Sequence, residues 1–346
     1  MAFPASVLHS HAETLLGYLP AVCDGDVDGI HQARIVTRRL REALPLFANS
    51  FPQDVQRMTR LVKSLGRKLG RARQLDVMDA DLARLAGRMP LASHTIATAR
   101  RTVGSRQAAA RRRLIKTIED LHLDRRDQLR FRHRRDWWHP FDDTLATGWA
   151  KILRERVTRR ADQLNHAVHR AAGVYFPNRV HRVRIATKKL RYSAELVACG
   201  GLWSTEVAVA DLKKAQDTLG RLHDAHVLLE CFDNLVDKAD TDVREVTMVK
   251  DDLHGEIAER YAKYLPQRKR LGAASRICAD FANLPPRKRP STIRVAALSA
   301  VAARACLFML SDRNDTTLSV VPAESADREA PPVTIEATPA DVRSVM

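Results

Sequence analysis

A short segment of the chain places histidine and cationic side chains along one face of a helix. It reads HQARIVTRRLR (residues 31–41), and on a helix its His31, Arg34, Arg38 and Arg41 fall within an arc of roughly 80°. Arginine can engage two oxygens of a phosphate or carboxylate at once. Like charges one turn apart repel by a few tenths of a kcal/mol, so a compensating anion is favourable there. We call these four residues the first stripe and expect them to bind an anion.

The same pattern recurs later in the chain. The segment HRVRIATKKLR (residues 181–191) aligns with the first without gaps, giving six identities and two Arg/Lys matches in eleven positions at an offset of 150 residues. Its helical face carries His181, Arg184, Lys188 and Arg191, which we call the second stripe. The same offset superimposes the Leu-Gly-Arg triplets at 69–71 and 219–221. The chain is therefore predicted to contain two copies of one helical unit.

Cationic residues also follow each stripe. Arg60, Lys63 and Arg67 share a helix face, with Arg71 near its edge, and the corresponding part of the second copy carries Lys213, Lys214 and Arg221. Two such helices side by side would present a positively charged wall.

Each of these features also has an interpretation without a ligand. A single basic helix face is more typical of solvent contact than of a site, but its recurrence in both copies favours a function. A histidine near a helix start is commonly a capping or packing residue. His31 and His181 could instead donate a hydrogen bond to phosphate whether charged or not. The sequence leaves both roles open.

Composition agrees with an anionic partner. The chain has 346 residues, 58 Lys+Arg against 41 Asp+Glu, and a formal net charge of +17. Of the basic residues 45 are arginine, which favours phosphate as the ligand. Aromatic residues make up only 5%, which weighs against single-stranded nucleic acids, because these stack their bases on aromatic rings.

Apolar residues at three- and four-residue spacing predict helices throughout, and nothing resembles a strand. In the first half we expect helices at about 6–19, 28–48, 53–72, 76–86 and 93–121, with breaks at Pro4, Pro20, Pro52 and residues 87–90. Residues 124–143 are predicted to connect the two halves. There, Trp137, Trp138 and Phe141 would either seal the halves together or complete the core of the second.

The C-terminal part differs in composition. Residues 287–310 comprise a basic break and an apolar stretch, Ile293–Leu310, whose two arginines argue against a membrane span. Residues 311–346 hold seven Asp/Glu against three Arg and are predicted to be a disordered, acidic, Pro-rich tail.

Patterns typical of other functions are weak. The five cysteines are scattered without a CxxC pair, so we expect no disulfide framework, no zinc site and a reducing cytoplasmic location. The N-terminus lacks a secretory signal pattern. The chain contains no Walker A, GxSxG, HExxH or dinucleotide fingerprint, so we expect no enzymatic activity, no cofactor and no catalytic residue. His223 and His226 flank Asp224, a weak metal pattern, and we expect no metal site.

The paired histidine-arginine motif, followed in each half by Leu-Gly-Arg, resembles the CHAD domain family over about residues 1–286. The resemblance implies an all-α fold of two pseudo-symmetric helical bundles, of about four helices each, around a basic central cavity. The halves would be about 1–140 and 141–286, followed by the C-terminal extension. Some family members carry a fused triphosphate-hydrolysing domain with an ExExK signature, which is absent here.

The resemblance also implies which residues line the cavity. From the first half they are His31, Arg34, Arg38, Arg39, Arg41, Lys63, Arg67, Arg71 and Arg73; from the second they are His181, Arg184, Lys188, Lys189, Arg191, Lys213, Lys214 and Arg221.

The ligand that the resemblance implies is inorganic polyphosphate, and we expect a cytoplasmic protein that can associate with polyphosphate granules. The alternative is non-specific binding to the phosphate backbone of DNA or RNA. Any phosphate backbone that meets this surface would release its counterions, and this release favours binding. The motifs of sequence-specific nucleic-acid binding are missing. Oligomeric state and chain-length preference stay open, as does assistance by a divalent cation.

Overall fold

The computed structural model describes residues 4–120, 148–172, 175–235 and 242–283, and all regular secondary structure in these ranges is helical. The all-α prediction is therefore confirmed. The helices are α1 (Ala5–Cys23), α2 (Val27–Ala43), α3 (Pro52–Arg88), α4 (Ser93–Asp120), α5 (Trp149–Arg170), α6 (Pro177–Cys199), α7 (Glu206–Asp233), α8 (Val243–Tyr264) and α9 (Gln267–Asn283). Two short 3₁₀ turns, Leu44–Phe47 and Pro90–Ala92, follow α2 and α3.

The helix that carries the first stripe has a defined start and end. It begins after Asp26, whose Oδ2 accepts a hydrogen bond of 2.5 Å from the backbone N–H of Gly29. The α-helix ends at Ala43, because Pro45 has no N–H to continue it, and the chain tightens into the first 3₁₀ turn. The single helix predicted over 28–48 is thus an α-helix followed by a 3₁₀ turn.

Two predicted boundaries are wrong. The helix α3 runs without interruption from Pro52 to Arg88, where two helices were predicted, because residues 73–75 are Arg, Gln and Leu and nothing there stops a helix. Pro20 lies inside α1 instead of ending it. The proline loses only its own hydrogen bond, and its carbonyl still accepts one of 3.0 Å from the N–H of Asp24.

Neighbours in sequence pack against each other in both halves. In the first half α1 packs on α2, α2 on α3 and α3 on α4; in the second, α5 packs on α6, α6 on α7 and α7 on α8. The last helix, α9, packs against α5 and α7, so the second half has five helices in the described part of the chain, where about four were predicted. The halves meet where α2 contacts α6 and α3 contacts α7.

The hydrophobic core is shared between the halves. The larger of two buried apolar clusters includes Leu40 of α2 and Leu190 of α6, both at most 1% exposed. The smaller cluster lies between α3, α4, α7 and α8, around Leu82 and Phe232. Burial of one such leucine contributes about 2 kcal/mol, so a continuous core holds the two stripe-bearing helices side by side.

Several predictions fall beyond what this structure tests. The connection at 124–143 with Trp137, Trp138 and Phe141, and the extension at 287–346, lie outside the described residues. The pseudo-symmetry of the two bundles, the basic central cavity and the domain boundaries stay predictions. Within the described ranges, no helix is long and apolar enough to cross a membrane.

Candidate anion-binding site

The two stripes come together where α2 packs against α6. Arg38 of α2 donates a hydrogen bond from Nη1 to the hydroxyl of Tyr192 on α6, at 3.4 Å. The next residue, Arg39, contacts Glu195 of α6 through Nε and Oε2 at 3.2 Å. Side chains of the two stripe-bearing segments, which are 150 residues apart in sequence, therefore lie in one region of the molecule.

At the centre of this contact lie four cations, which we call the central cation cluster. They are Arg34 and Arg38 of α2 and Arg184 and Lys188 of α6. Among the described residues Arg34, Arg184 and Lys188 form no ion pair within 4 Å, and Arg38 has only the tyrosine hydroxyl. Such a cluster holds positive charge that the neighbouring side chains do not neutralise by direct contact.

Burial and mutual repulsion act on the protonation of these cations. Burial, followed by the charge of Arg38, lowers the pKa of Arg34 to about 9. Lys188 is affected more: burial, then the charges of Arg38 and Arg184, lower its pKa to about 6. Burial also lowers the pKa of Arg184, although Asp224 opposes the change. The cluster is thus poorly solvated, and among the described residues no carboxylate is in direct contact with it; a bound anion would compensate for both.

The helix α2 approaches α3 closely beside the cluster. A Cβ at Gly70 of the Leu-Gly-Arg motif would lie 3.6 Å from Nε of Arg34, an ordinary contact distance, so the arginine side chain lies against α3. One turn earlier, a Cβ at Gly66 would lie 3.2 Å from Oγ1 of Thr37, closer than most Cβ contacts. Gly66 therefore allows the close approach that brings the stripe toward Arg73, whose charge acts on Arg34.

One carboxylate, Asp224 of α7, acts on the central cation cluster from the side. Burial raises the pKa of Asp224 to about 6, against the opposing charges of Arg184, Arg34 and Arg73, while Asp81 adds to the rise. Sequence reasoning noted Asp224 only as part of a weak metal pattern and did not predict it in the site. Arg221, which was predicted, borders an open pocket of about 430 Å³ together with Asp224 and Asp81.

The histidine of the second stripe contacts another histidine. The rings of His181 and His223 lie 4.6 Å apart between centroids, at a tilt of 48°. Burial, then the charge of Arg184, lower the pKa of both, that of His223 to about 3. Both rings are therefore neutral at pH 7 and able to donate one hydrogen bond each. His223 was missed, although the offset of 150 residues makes it the counterpart of Arg73.

His31, of the first stripe, is half-buried, and Arg41 at the end of that stripe is exposed. The structure places Arg41 near Lys188 and Lys189, whose pKa values its charge helps to lower.

The other cations at this contact are neutralised by carboxylates, and we call them the paired cation cluster. Its members are Arg39 and Arg191, which contact Glu195, and Arg156 and Arg160 of α5, which contact Glu42. The hydroxyl of Ser193 also donates to Glu42, at 3.2 Å. Arg39 and Arg191 were predicted to line the cavity; their guanidinium groups face carboxylates of the protein itself, and a binding role for them stays a prediction.

The remaining predicted residues lie on helix surfaces. Lys189 lies beside Glu42 and Arg160, and burial lowers its pKa. Exposed cations extend along α3 and α7 and comprise Lys63, Arg67, Arg71, Lys213, Lys214 and Arg221.

The metal pattern around Asp224 is occupied by protein contacts. Nε2 of His226 contacts the hydroxyl of Tyr175, while His223 packs on His181. No group of three His, Cys, Asp or Glu side chains arranged to hold a metal ion occurs in the part of the chain that the structure describes.

Comparison with known proteins identifies the fold and the family. Two solved structures share the fold: the CHAD domain from the plant Ricinus communis, with a TM-score of 0.55 and 23% identity over 79% of this chain and 90% of that chain, and PptA from Streptomyces chartreusis, with a TM-score of 0.52 and 18% identity over 80% and 96%. No curated protein matches the chain closely enough to count as a relative. The family model of the CHAD domain matches residues 6–233, which include both stripes, and the chain therefore belongs to the CHAD domain family.

Proposed function

We propose that this protein binds inorganic polyphosphate through the central cation cluster. The observation that carries the proposal is the meeting of Arg34, Arg38, Arg184 and Lys188 at the contact of α2 with α6, where no carboxylate of the described residues pairs with them directly. The CHAD domain family is known in general to bind polyphosphate, which supports this choice of ligand.

The arrangement suits a chain of phosphates. Charge-assisted hydrogen bonds to phosphate contribute about 1.5–3 kcal/mol each, and a buried cation that lacks a counter-ion gains more from an anion than an exposed one. Polyphosphate repeats its charge along its length, so units beyond the central cation cluster would meet the exposed cations of α3 and α7. A single phosphate would leave these outer cations unused.

Binding in this proposal involves no reaction. Incubation of the purified protein with long-chain polyphosphate should release no orthophosphate above the rate of a buffer control. Phosphate release that persists in purified protein and disappears in the Arg34→Ala/Arg184→Ala variant would show hydrolysis at this site.

In the cell we propose that the protein associates with polyphosphate granules. A fluorescent fusion should concentrate on granules in wild-type cells and spread through the cytoplasm in cells unable to make polyphosphate. Persistent foci in such cells would assign the localisation to another partner.

Competitive titration tests the ligand. Long-chain polyphosphate, duplex DNA, RNA and heparin should be titrated at matched salt, because affinities for polyanions depend steeply on salt. We expect polyphosphate to bind at least tenfold more tightly than the others, because the central cation cluster is half-buried between α2 and α6 and a flexible phosphate chain can reach it more closely than a bulkier polyanion. Equal affinity for all four would support the alternative of non-specific binding to phosphate backbones.

A further inference from the structure

The duplication places different cations at one position of the central cation cluster. Arg38 of the first stripe corresponds to Lys188 of the second, at the offset of 150 residues. Arginine keeps its charge at neutral pH even where burial lowers its pKa, as it does for Arg34, whereas a buried lysine can lose its proton. Lys188 is the only lysine in this cluster and therefore the only member whose charge can respond to its surroundings near neutral pH.

The surroundings of Lys188 are almost entirely cationic or neutral. Arg184 lies one turn earlier on α6, and Arg38 of α2 reaches across to Tyr192, one turn later on α6. Among the described residues Lys188 forms no hydrogen bond or ion pair through its amine. The groups whose charge or titration is coupled to that of Lys188 are Arg34, Arg38 and Arg41 of α2, Arg184 and His181 of α6, and His223 of α7.

The carboxylate of Asp224 acts on Arg184 and Arg34 but is not among the main influences on Lys188. No direct counter-ion in the described ranges therefore stabilises an ammonium group at this position.

We propose that Lys188 is uncharged in the empty site and takes up a proton when a phosphate chain enters, so that binding is coupled to pH. This inference rests on the proposed function and adds a regulation to it. Without a ligand, the charges of Arg34, Arg38 and Arg184 make it unfavourable for Lys188 to carry a proton. The entering phosphates add negative charge next to Lys188, and its protonated amine then has an anionic partner.

The direction of the pH dependence follows from linkage. The empty site holds the pKa of Lys188 at about 6, against an ordinary 10.5, and a bound polyanion shifts it back upward. Between these two values the complex holds more protons than the free protein, so affinity falls as pH rises above 6, by at most about tenfold per pH unit. Below pH 6 Lys188 is charged in both states and its contribution to the slope vanishes.

Asp224 contributes in an overlapping window. Its pKa is about 6 in the ligand-free protein, and a nearby anion favours its protonated form. Its proton uptake on binding therefore begins near pH 6 and extends upward to its higher pKa in the complex. The Asp224→Asn variant separates the two groups, because the slope that it retains belongs to Lys188.

Calorimetry in paired buffers measures the proton uptake directly. Long-chain polyphosphate is titrated into the full-length protein at pH 7.5, in two buffers that differ in ionisation enthalpy. The Asp224→Asn variant should take up about one proton per site, and the further change Lys188→Arg should bring the uptake close to none, because arginine is charged before binding. The arginine variant should also bind more tightly than its parent at pH 8.5. The matched control Lys116→Arg, on the exposed face of α4, should behave as its parent.

Labelling of the ligand-free protein provides a second readout. Brief acetylation with acetic anhydride over pH 5–10, followed by mass spectrometry, gives the pH at which each lysine amine becomes reactive. Lys188 should become reactive near pH 6 and be protected by added polyphosphate, whereas Lys116 on the exposed face of α4 should not be protected by it.

The outcomes separate the two proposals. Polyphosphate binding without proton uptake, or Lys188 reactive only at an ordinary lysine pH, overturns the proton coupling and leaves the proposed function intact. Absence of polyphosphate binding at every pH overturns the proposed function and the coupling with it.

Discussion

The contact between α2 and α6 contains two groups of cations that differ in their neighbours. In the paired cation cluster, Glu42 and Glu195 lie within 4 Å of four arginines and neutralise much of their charge. The central cation cluster lies on α2 and α6, and among the described residues none of its members forms an ion pair; Asp224 of α7 acts on it from beyond ion-pairing distance. The placement of a few carboxylates therefore decides which cations hold helices together and which are available to a ligand.

The largest difference should appear when the central cation cluster is truncated. For Arg34→Ala/Arg184→Ala we expect polyphosphate affinity to fall about 100-fold or more, since two charge-assisted contacts are lost. The free energy of unfolding should stay the same or rise, because buried like charges are removed. Binding isotherms and urea unfolding curves measure the two effects.

A variant with the same loss of charge provides the control. Arg112→Ala/Arg113→Ala removes two exposed arginines of α4. It should lower polyphosphate affinity by only about threefold, because these two arginines act on the ligand through long-range electrostatic attraction alone. An equal loss in both variants would mean that net charge sets the affinity.

The paired cation cluster should respond in the opposite way. Glu42→Gln removes the carboxylate that Arg156 contacts at 2.6 Å and Arg160 at 3.5 Å. We expect the free energy of unfolding to fall by about 2 kcal/mol, because two poorly solvated guanidinium groups lose their partner. Polyphosphate affinity should change less than about threefold. Chemical denaturation measures the loss of stability, with Glu13→Gln on the exposed face of α1 as control. A larger change in the free energy of binding than in the free energy of unfolding would contradict the distinction between the two clusters.

Replacing Asp224, the carboxylate that acts on the central cation cluster, tests whether a carboxylate has the same effect in both clusters. The pKa of Asp224 is raised in the folded state, so its contribution to stability is present below the ordinary pKa of 3.8 and is lost as pH rises through about 6. Asp224→Asn should therefore stabilise the ligand-free protein by about 1 kcal/mol at pH 7.5 and by little at pH 4.

Thermal unfolding at the two pH values checks this prediction. The control is Asp217→Asn, which alters an exposed carboxylate on the same helix. A loss of stability at pH 7.5 would mean that Asp224 neutralises the cluster much as Glu42 and Glu195 neutralise theirs.

The smallest effects should come from the exposed cations. Arg67→Ala and Arg71→Ala on α3 should each weaken polyphosphate binding about twofold to threefold, because solvent and salt screen these charges. Each should also reduce the slope of log affinity against log salt concentration by about one, the contribution of a single phosphate contact. A salt titration measures the slope, and Arg106→Ala on α4 serves as the control. No change in slope would place these residues outside the path of the ligand.

Much of this site follows from the sequence, because the stripes repeat within one chain. Helical periodicity and the offset of 150 residues predicted that Arg34 and Arg184 share a function, and the Leu-Gly-Arg motif marked Gly70, which lies against Arg34. The sequence did not separate Arg38 from Arg39, or Lys188 from Arg191. The pair of Arg191 with Glu195 lies within one turn of α6 and was open to sequence reasoning. The contact of Arg39 with Glu195 depends on the packing of α2 on α6, and the contacts of Glu42 with Arg156 and Arg160 join α2 to α5.

The same limit applies to the fold. Periodicity predicts helices but not which ones merge, so α3 was expected as two pieces. Asp224 and His223 were missed because α7 has to pack against α6 before they reach the second stripe. Contacts between distant segments thus decided the details that local patterns left open.

A structure of the protein in complex with a short polyphosphate would test the central claim most directly. We predict phosphate oxygens within hydrogen-bonding distance of the guanidinium groups of Arg34, Arg38 and Arg184 and of the amine of Lys188, with Glu42 and Glu195 still bound to their arginines. A phosphate chain seated on the paired cation cluster or on the outer face of α4, with the central cation cluster empty, would contradict it.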